Sequence, residues 1–149
     1  MTAGEFRWDP QCLGQRSHPI VHQVTAPLAA AFRAAVDPGA VGSPCPPTLP
    51  VRFQTLDVPG LTLPTAGVIH ASQEFRFPAG RPLQQNEQVR VVGWLESVRQ
   101  RGRLAIVVVV NHITASSGAA AGVDGADDLL LVETRTTVMV TLPDEGGTQ

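Results

Sequence analysis

The second half of the chain consists of long alternating or apolar segments separated by short polar connections. Four of these segments have the period of two that is typical of strands: Val68–Phe77, Gln88–Arg99, Arg103–Thr114 and Leu130–Leu142. The third contains Leu104–Val110, which is apolar on both faces and therefore predicts a central strand. The short polar connection between the second and third segments predicts a hairpin. This pattern favours an antiparallel sheet.

One helix is predicted ahead of these strands. A short extended stretch ends at Val24, after which Thr25 can cap a helix and Pro27 suits its first turn. The helix is expected to run to about Val36, where Asp37-Pro38-Gly39 ends the pattern. Its spacing places four apolar residues on one face: Leu28, Phe32, Ala35 and Val36.

Proline limits any second helix. Residues 37–50 are dense in proline and glycine, which predicts a loop. A short helix fits Thr48–Leu56, but Pro50, Pro59 and Pro64 prevent a long one. A central helix is therefore expected to be stunted.

Composition indicates one soluble globular domain. The chain has 149 residues, of which 43% are hydrophobic and 16% charged, so it is too apolar for a disordered protein. We expect a single domain over residues 1–149, with an irregular N-terminal arm (1–19), a flexible loop (116–128) and a frayed tail (143–149). The longest apolar run is far shorter than the ~20 residues of a membrane-spanning helix, so no membrane partner is expected.

Charge and cysteine content exclude several other classes. The net charge is -2 and the eleven basic residues, all arginine, are scattered, which argues against nucleic-acid binding. Acidic residues near the N-terminus do not fit a signal peptide, and Cys12 and Cys45 form no disulfide framework. We expect a cytoplasmic protein with free thiols, and Cys45 has no neighbouring basic residue that would make it a nucleophile.

Four short strings occur in order across most of the chain: Cys45-Pro-Pro-Thr48, Gly67-Val-Ile-His70, Gln73-Glu-Phe-Arg-Phe77 and Arg81-Pro-Leu83. Together they resemble the N-terminal FAS1-type dehydratase domain of the MaoC-like hydratase and dehydratase superfamily, over roughly Val24–Val140. The resemblance implies an α+β protein with a single hot-dog fold, in which an antiparallel sheet wraps around a central helix. In this chain that helix would be short and degenerate.

The resemblance also bears on catalysis. Active members of the superfamily carry an aspartate and, five residues later, a histidine. Asp37 matches the aspartate, but Gly42 stands at the histidine position, so the acid and base needed for enoyl hydration are incomplete. Asp37 and His70 are the candidate catalytic residues. Each also has a purely structural interpretation, Asp37 as a helix-ending residue and His70 as a strand-end histidine.

A short central helix in this fold would leave room for the tail of an acyl thioester. The residues expected to contact that ligand are Pro47, Thr48, Val51, Phe53, Leu56, Leu61, Leu63, Ile69, His70 and Phe75. The alternative is that the apolar members pack the core. No cofactor or metal is expected, because Pro19 interrupts the helical spacing of His18 and His22 and no third ligand is evident.

The predicted function is that of an acyl-CoA- or acyl-carrier-protein-binding subunit of an enoyl hydratase or 3-hydroxyacyl dehydratase, forming a homodimer or a heterodimer with a catalytic hot-dog subunit. Two alternatives stay open. One is a self-sufficient homodimeric hydratase or thioesterase that uses Asp37, His70 or Glu74. The other is a non-enzymatic module that binds acyl thioesters.

Overall fold

A computed structural model describes residues 4–36, 39, 45–116 and 128–143. Its regular elements, in chain order, are β1 (Arg7–Trp8), β2 (Ile20–Gln23), α1 (Ala26–Val36), β3 (Leu61–Thr62), β4 (Val68–Arg76), β5 (Gln88–Arg101), β6 (Leu104–Ala115) and β7 (Leu130–Thr141). Two short 3-10 helices are added at Pro10–Cys12 and Leu49–Arg52. The four long strands and the helix that the sequence predicts are therefore all present.

The main sheet has five antiparallel strands in the order β2-β5-β6-β7-β4. Strand β6 lies at the centre of the sheet, as predicted from a segment that is apolar on both of its faces. Strands β2 and β4 form the two edges. A separate two-stranded ribbon pairs β1 with β3, and the sequence analysis did not predict it.

Helix α1 begins where Thr25 accepts a hydrogen bond from the Leu28 N–H at 3.3 Å. Leu28 and Phe32 pack against the core, as their spacing predicts. The end of the helix differs from the prediction: Val36 is 63% exposed, and the buried residue of the helix is Ala29. The apolar face is therefore confined to the first part of the helix, because its last turn extends beyond the core.

One face of the sheet, here called the inner face, carries two clusters of buried apolar side chains. The first lies near α1 and contains Val24, Ala29, Cys45, Leu49, Phe53, Leu83, Val89, Val91, Ile113, Leu131 and Val132. The second lies towards the β5–β6 hairpin and contains Val58, Leu95, Ala105, Val107, Val109, Val138 and Val140. Burial of these side chains supplies the main driving force for folding.

The chain that crosses the inner face between α1 and β4 contains no long helix. It forms one 3-10 turn at Leu49–Arg52 and then runs irregularly to β3. Pro50 lies in the first turn, which a helix tolerates but cannot extend backwards through, and Pro59 and Gly60 limit extension in the other direction, so no long helix fits between them. The stunted central helix predicted from the sequence is confirmed.

A β-bulge in β4 changes which side chains share a face. His70 pairs with Val138, but the next paired residue is Ser72 with Thr137, so Ala71 is the extra residue. Simple alternation places His70 on the same face as Glu74 and Arg76. That expectation is wrong, because the extra residue reverses the alternation and brings His70 to the inner face opposite buried Val138.

Candidate functional site

Polar side chains separate the two apolar clusters on the inner face. In the described part of the chain, the fully buried polar residues are Asn111, Thr134 and Thr136, each at most 1% exposed. Strand pairing places Asn111 opposite Thr134, and Thr136 opposite Gln73. With His70 at the sheet edge, these five residues define an inner polar stripe that runs obliquely from β6 to β4. Buried polar groups generally form hydrogen bonds, and such bonds hold the neighbouring chain segments in place.

Asn111 holds the irregular chain onto the sheet. Its side-chain oxygen accepts a hydrogen bond from the Thr55 N–H at 2.9 Å, and its amide donates to the Thr55 carbonyl at 3.1 Å. Gly93, the neighbour of Asn111 on β5, leaves space for this contact: a Cβ at Gly93 would lie 3.0 Å from both the Asn111 oxygen and the Thr55 methyl group. The backbone at Thr55 is therefore positioned by a side chain rather than by a strand.

Gln73 is the centre of a second polar contact. Its side-chain oxygen accepts hydrogen bonds from the Gln54 amide at 3.1 Å and from the Thr136 hydroxyl at 2.9 Å. The Thr136 hydroxyl also lies 3.1 Å from the Gln54 oxygen. The Thr134 hydroxyl, by contrast, is buried and has no hydrogen-bond partner in the described part of the chain. This network ties β4, β7 and the irregular chain together.

His70 lies at the exposed end of the stripe. Its Nε2 atom is 3.3 Å from the Gln73 side-chain oxygen, and the side chain is exposed at the edge strand β4. Glu74, the carboxylate considered with it as a catalytic partner, faces the other side of the sheet opposite Arg135. Asp37 lies outside the described residues. The described residues therefore give His70 an amide neighbour and no carboxylate partner.

A group of half-buried apolar side chains covers the second cluster, and we call it the arm cluster. It consists of Phe6, Trp8, Leu56, Leu61 and Leu63. Phe6 and Trp8 come from the N-terminal segment, whereas the three leucines come from the irregular chain and β3. His70 borders this region, because its paired residue Val138 belongs to the second cluster. An apolar surface and a polar group thus lie on the same face of the sheet.

A cavity of about 380 Å³ lies at the other end of the molecule, and we call it the proline pocket. It is lined by Cys45, Pro47, Phe77, Gly80, Arg81 and Pro82. Except for Gly80, these residues come from three of the four strings that carried the family resemblance, so the fold brings distant motifs to one place. Burial raises the pKa of the Cys45 thiol, which keeps it protonated and unreactive near neutral pH.

An ion pair supports the proline pocket. Arg81 donates to both carboxylate oxygens of Glu87, at 2.6 and 3.2 Å, and the Gln84 N–H donates to the same carboxylate at 2.9 Å. Burial alone would raise the pKa of Glu87, but these hydrogen bonds outweigh burial and lower it. The hydrogen bond to Glu87 raises the pKa of Arg81. Arg81 is thus held in one orientation at the pocket wall.

A second cavity, of about 310 Å³, lies between the N-terminal segment and the irregular chain. It is lined by Ser17, His18, Ile20, Asp57, Val58 and Pro59. Ser17 is engaged by the backbone, since its hydroxyl accepts from the Gly93 N–H at 3.0 Å and lies 3.2 Å from the His18 carbonyl. The ring of His22 packs against the ring of Phe53, with 5.4 Å between the ring centroids, and His22 is not among the residues that line this cavity. The described residues contain no cluster of metal-ligating side chains.

The structure distributes the predicted acyl-contact residues over several places. Pro47 lines the proline pocket, and Thr48 is exposed beside it. Phe53 and Phe75 belong to or pack against the first cluster, and Val51 is half-buried in the 3-10 turn. These residues adjoin the core near α1.

The remaining predicted contacts lie further along the sheet. Leu56, Leu61 and Leu63 belong to the arm cluster, which covers the second cluster. Ile69 is the exception, because it is 56% exposed and pairs with Met139 on the opposite face of the sheet. Ile69 is therefore separated from the other candidates by the sheet itself.

Sequence reasoning missed Asn111, Gln73, Gln54 and Thr136. A signal was available, because Asn111 interrupts the inward-facing series Val107, Val109 and Ile113 in β6. Thr134 and Thr136 interrupt β7 in the same way. Polar residues at positions that alternation assigns to a core indicate a buried network.

Comparison with known proteins supports the fold. No family model and no curated protein sequence matches the chain. Solved structures do match. A MaoC-like dehydratase from Rhodospirillum rubrum is 16% identical with a TM-score of 0.57, and the match covers 88% of this chain and 93% of that one. The chain therefore has the hot-dog fold of MaoC-like dehydratases, as the sequence predicts.

Two further similar structures are complexes from Mycobacterium tuberculosis. The ChsH1-ChsH2 complex matches with 16% identity and a TM-score of 0.57, over 89% of this chain and 92% of that one. The HadBC (3R-hydroxyacyl-ACP dehydratase) complex matches with 18% identity and a TM-score of 0.52, over 93% of this chain and 97% of that one. Hot-dog chains of this kind thus occur as subunits of complexes. No helix among the described residues is long and apolar enough to cross a membrane.

Proposed function

We propose that this chain is the acyl-thioester-binding subunit of a MaoC-like enoyl hydratase or 3-hydroxyacyl dehydratase, acting with a second hot-dog subunit that supplies the catalytic residues. The observation that carries the proposal is the cover of the inner face. Between α1 and β4 the inner face is crossed by one 3-10 turn and an irregular chain, where this fold would have a long central helix. Apolar side chains held only by irregular backbone can move aside for a ligand more easily than those of a packed helix.

The β4 end of the inner face suits such a ligand. The second cluster, with Leu56, Leu61 and Leu63, offers an apolar surface for an acyl tail, and His70 with Gln73 offers hydrogen-bonding groups on the same face. Ligand sites commonly combine a largely apolar lining with a few polar groups that set orientation. This combination fits an acyl chain that ends in a polar thioester, carried by CoA or by an acyl carrier protein.

The polar groups of this site do not make a complete catalytic pair. Adding water to an enoyl thioester requires one group that takes a proton and another that delivers one. The hydrogen-bond partner of His70 in the described residues is the Gln73 amide, which does neither. A partner subunit that carries both groups would complete the reaction.

The partner is expected at the open edge of β4. Strand β4 is paired on one side only, by β7, so its other backbone edge is free to pair within the described structure. His70 is exposed on that strand, which would bring it close to a subunit that pairs there. The structural similarity to subunits of the HadBC and ChsH1-ChsH2 complexes supports pairing with a second hot-dog subunit. A cytoplasmic location stays a prediction from the sequence.

Co-expression with a hot-dog protein that carries the complete aspartate and histidine motif tests the proposal. The expected result is co-purification as one complex that hydrates crotonyl-CoA, while this chain alone turns over poorly. General acid-base catalysis contributes about 10²–10⁴-fold per positioned group, so the difference should be large. Full activity of a homogeneous preparation of this chain alone would refute the proposal, and His70→Ala would then identify the base.

A further inference from the structure

Residues Gly4–Ser17 belong to the predicted N-terminal arm, and only these residues are called the arm below. They pass from the sheet edge to the inner face. At the edge, the Ser17 N–H donates to the Gly93 carbonyl at 2.8 Å and the Gly14 N–H donates to the Leu95 carbonyl at 2.9 Å. The 3-10 helix at Pro10–Cys12 connects this edge to β1. Strand β1 pairs with β3, to which the irregular chain leads. The arm therefore lies over the second cluster.

The arm presents alternate side chains to the sheet and to solvent. Phe6 and Trp8 pack against the second cluster, together with the leucines of the arm cluster. Glu5 and Arg7 point to solvent, where they form an ion pair at 3.0 Å with side chains that are 64% and 75% exposed. Two large aromatic side chains thus cover apolar surface beside Leu56, Leu61 and Leu63, which the sequence analysis assigns to acyl contact.

From Asp9 to Ser17 the arm is anchored, because the Asp9, Gly14 and Ser17 N–H groups donate to the backbone carbonyls of Gly60, Leu95 and Gly93. Its outer part, Gly4–Trp8, is held by fewer interactions. Its ladder with β3 contains two residue pairs, Arg7 with Thr62 and Trp8 with Leu61, whereas the pairing of β5 with β6 extends over twelve residue pairs. An exposed ion pair such as Glu5–Arg7 adds little stability. Segments with short ladders and partly exposed side chains are the ones that open without global unfolding.

We propose that the outer part of the arm, Gly4–Trp8, is a displaceable cover over an apolar binding surface, and that the aliphatic tail of an acyl thioester replaces Phe6 and Trp8 on that surface. The proposal rests on the proposed function and locates its acyl site. The surface stays covered by apolar groups in this exchange, because an aliphatic chain replaces the apolar contacts of the two aromatic side chains. A tail must be long enough to replace them, so affinity should rise by about fourfold for each methylene that becomes buried.

Fluorescence of Trp8 tests the displacement in the full chain. The other tryptophan, Trp94, lies on the outer face against His112 and Arg16, and Trp94→Phe removes its signal. Titration of Trp94→Phe with lauroyl-CoA should shift the Trp8 emission to longer wavelength, as the half-buried indole enters water. Butyryl-CoA should cause no shift. In the matched Trp8→Phe variant, Trp94 should not respond to either ligand.

A reversible lock tests whether displacement is required. Arg7 and Thr62 are directly opposed and exposed, and opposed residues of antiparallel strands have Cα atoms about 4.5–5.5 Å apart, within disulfide range. Arg7→Cys with Thr62→Cys, in a Cys12→Ser background, should bind lauroyl-CoA at least about tenfold more weakly when oxidised than after reduction. Butyryl-CoA serves as the ligand control, and circular dichroism checks the fold of both forms.

The outcomes separate the cover from the proposed function. Long-chain binding that is lost on oxidation and restored by reduction, with a Trp8 shift, supports the cover. Lauroyl-CoA binding that is equal in both redox forms, without a Trp8 shift, overturns the cover and leaves the acyl-binding function intact. Failure of the wild-type chain to bind any acyl-CoA or acyl carrier protein thioester overturns both.

Discussion

Asn111 makes both of its side-chain hydrogen bonds to the backbone of a single residue, Thr55, at 2.9 and 3.1 Å. The two residues are 56 positions apart, and Asn111 is fully buried. The Asn111 side chain thereby takes the place of a neighbouring strand at this point, because it forms hydrogen bonds with one backbone N–H and one backbone carbonyl, as a paired strand residue would. It anchors the irregular chain that stands in place of a central helix.

Asn111→Leu is therefore expected to destabilise the protein strongly. The substitution leaves the Thr55 N–H and carbonyl without partners, and each buried unsatisfied group costs about 1–3 kcal/mol. Urea denaturation should show a loss of about 2–5 kcal/mol in the free energy of unfolding. Thr137→Val, on the outer face of β7, is the control and should change this free energy by less than about 0.5 kcal/mol. An equal effect of both substitutions would contradict the anchoring role.

The Glu87–Arg81 ion pair predicts a defined pH dependence. Because the folded-state pKa of Glu87 lies below its usual value, the ionised carboxylate stabilises the fold above the unfolded pKa, which is about 4.3. This stabilisation is lost as the pH falls through the lower, folded-state pKa. The stability difference between wild type and Glu87→Gln should thus be constant from neutral pH down to about 5 and shrink below about 4.3. Chemical denaturation at a series of pH values measures it. A difference independent of pH would show that Glu87 contributes only by packing.

Leu56→Trp tests where the acyl tail lies. A larger side chain in the arm cluster should occupy part of the tail surface, which lowers affinity for lauroyl-CoA by about tenfold or more and leaves butyryl-CoA unchanged. Pro82→Trp is the matched control, because it places the same side chain in the proline pocket at the other end of the sheet. Isothermal titration calorimetry measures both variants. If Pro82→Trp has the larger effect, the acyl tail lies in the proline pocket instead.

The open edge of β4 predicts self-association of the isolated chain. Exposed edge strands tend to pair, and homo-oligomers commonly form closed symmetric dimers. Multi-angle light scattering at micromolar concentration should therefore detect an oligomer. Ile69→Lys, on β4, should weaken association by about tenfold, since charged side chains protect edges. Leu104→Lys, exposed on the central strand β6, is the control. A strictly monomeric wild type at this concentration would refute the prediction.

The sequence determined the elements of this fold because their signals are local. The two-faced apolar run of β6, the alternation in β5 and β7, and the capped start of α1 at Thr25 are each readable within a few residues. The prolines at positions 50, 59 and 64 determined equally locally that no long helix could form there. Together with the resemblance of the four short strings to MaoC-like domains, these elements indicated the hot-dog fold that the similar structures share.

Only the tertiary structure decided how distant residues meet. A single extra residue, Ala71, moved His70 to the inner face, and alternation cannot reveal such a bulge. The contact of Asn111 with Thr55, and the position of Phe6 and Trp8 over the second cluster, join segments far apart in the chain. Such contacts depend on strand register and on the path of irregular backbone, which residue periodicity does not encode. The sequence therefore determined the sheet, whereas long-range packing decided what covers it.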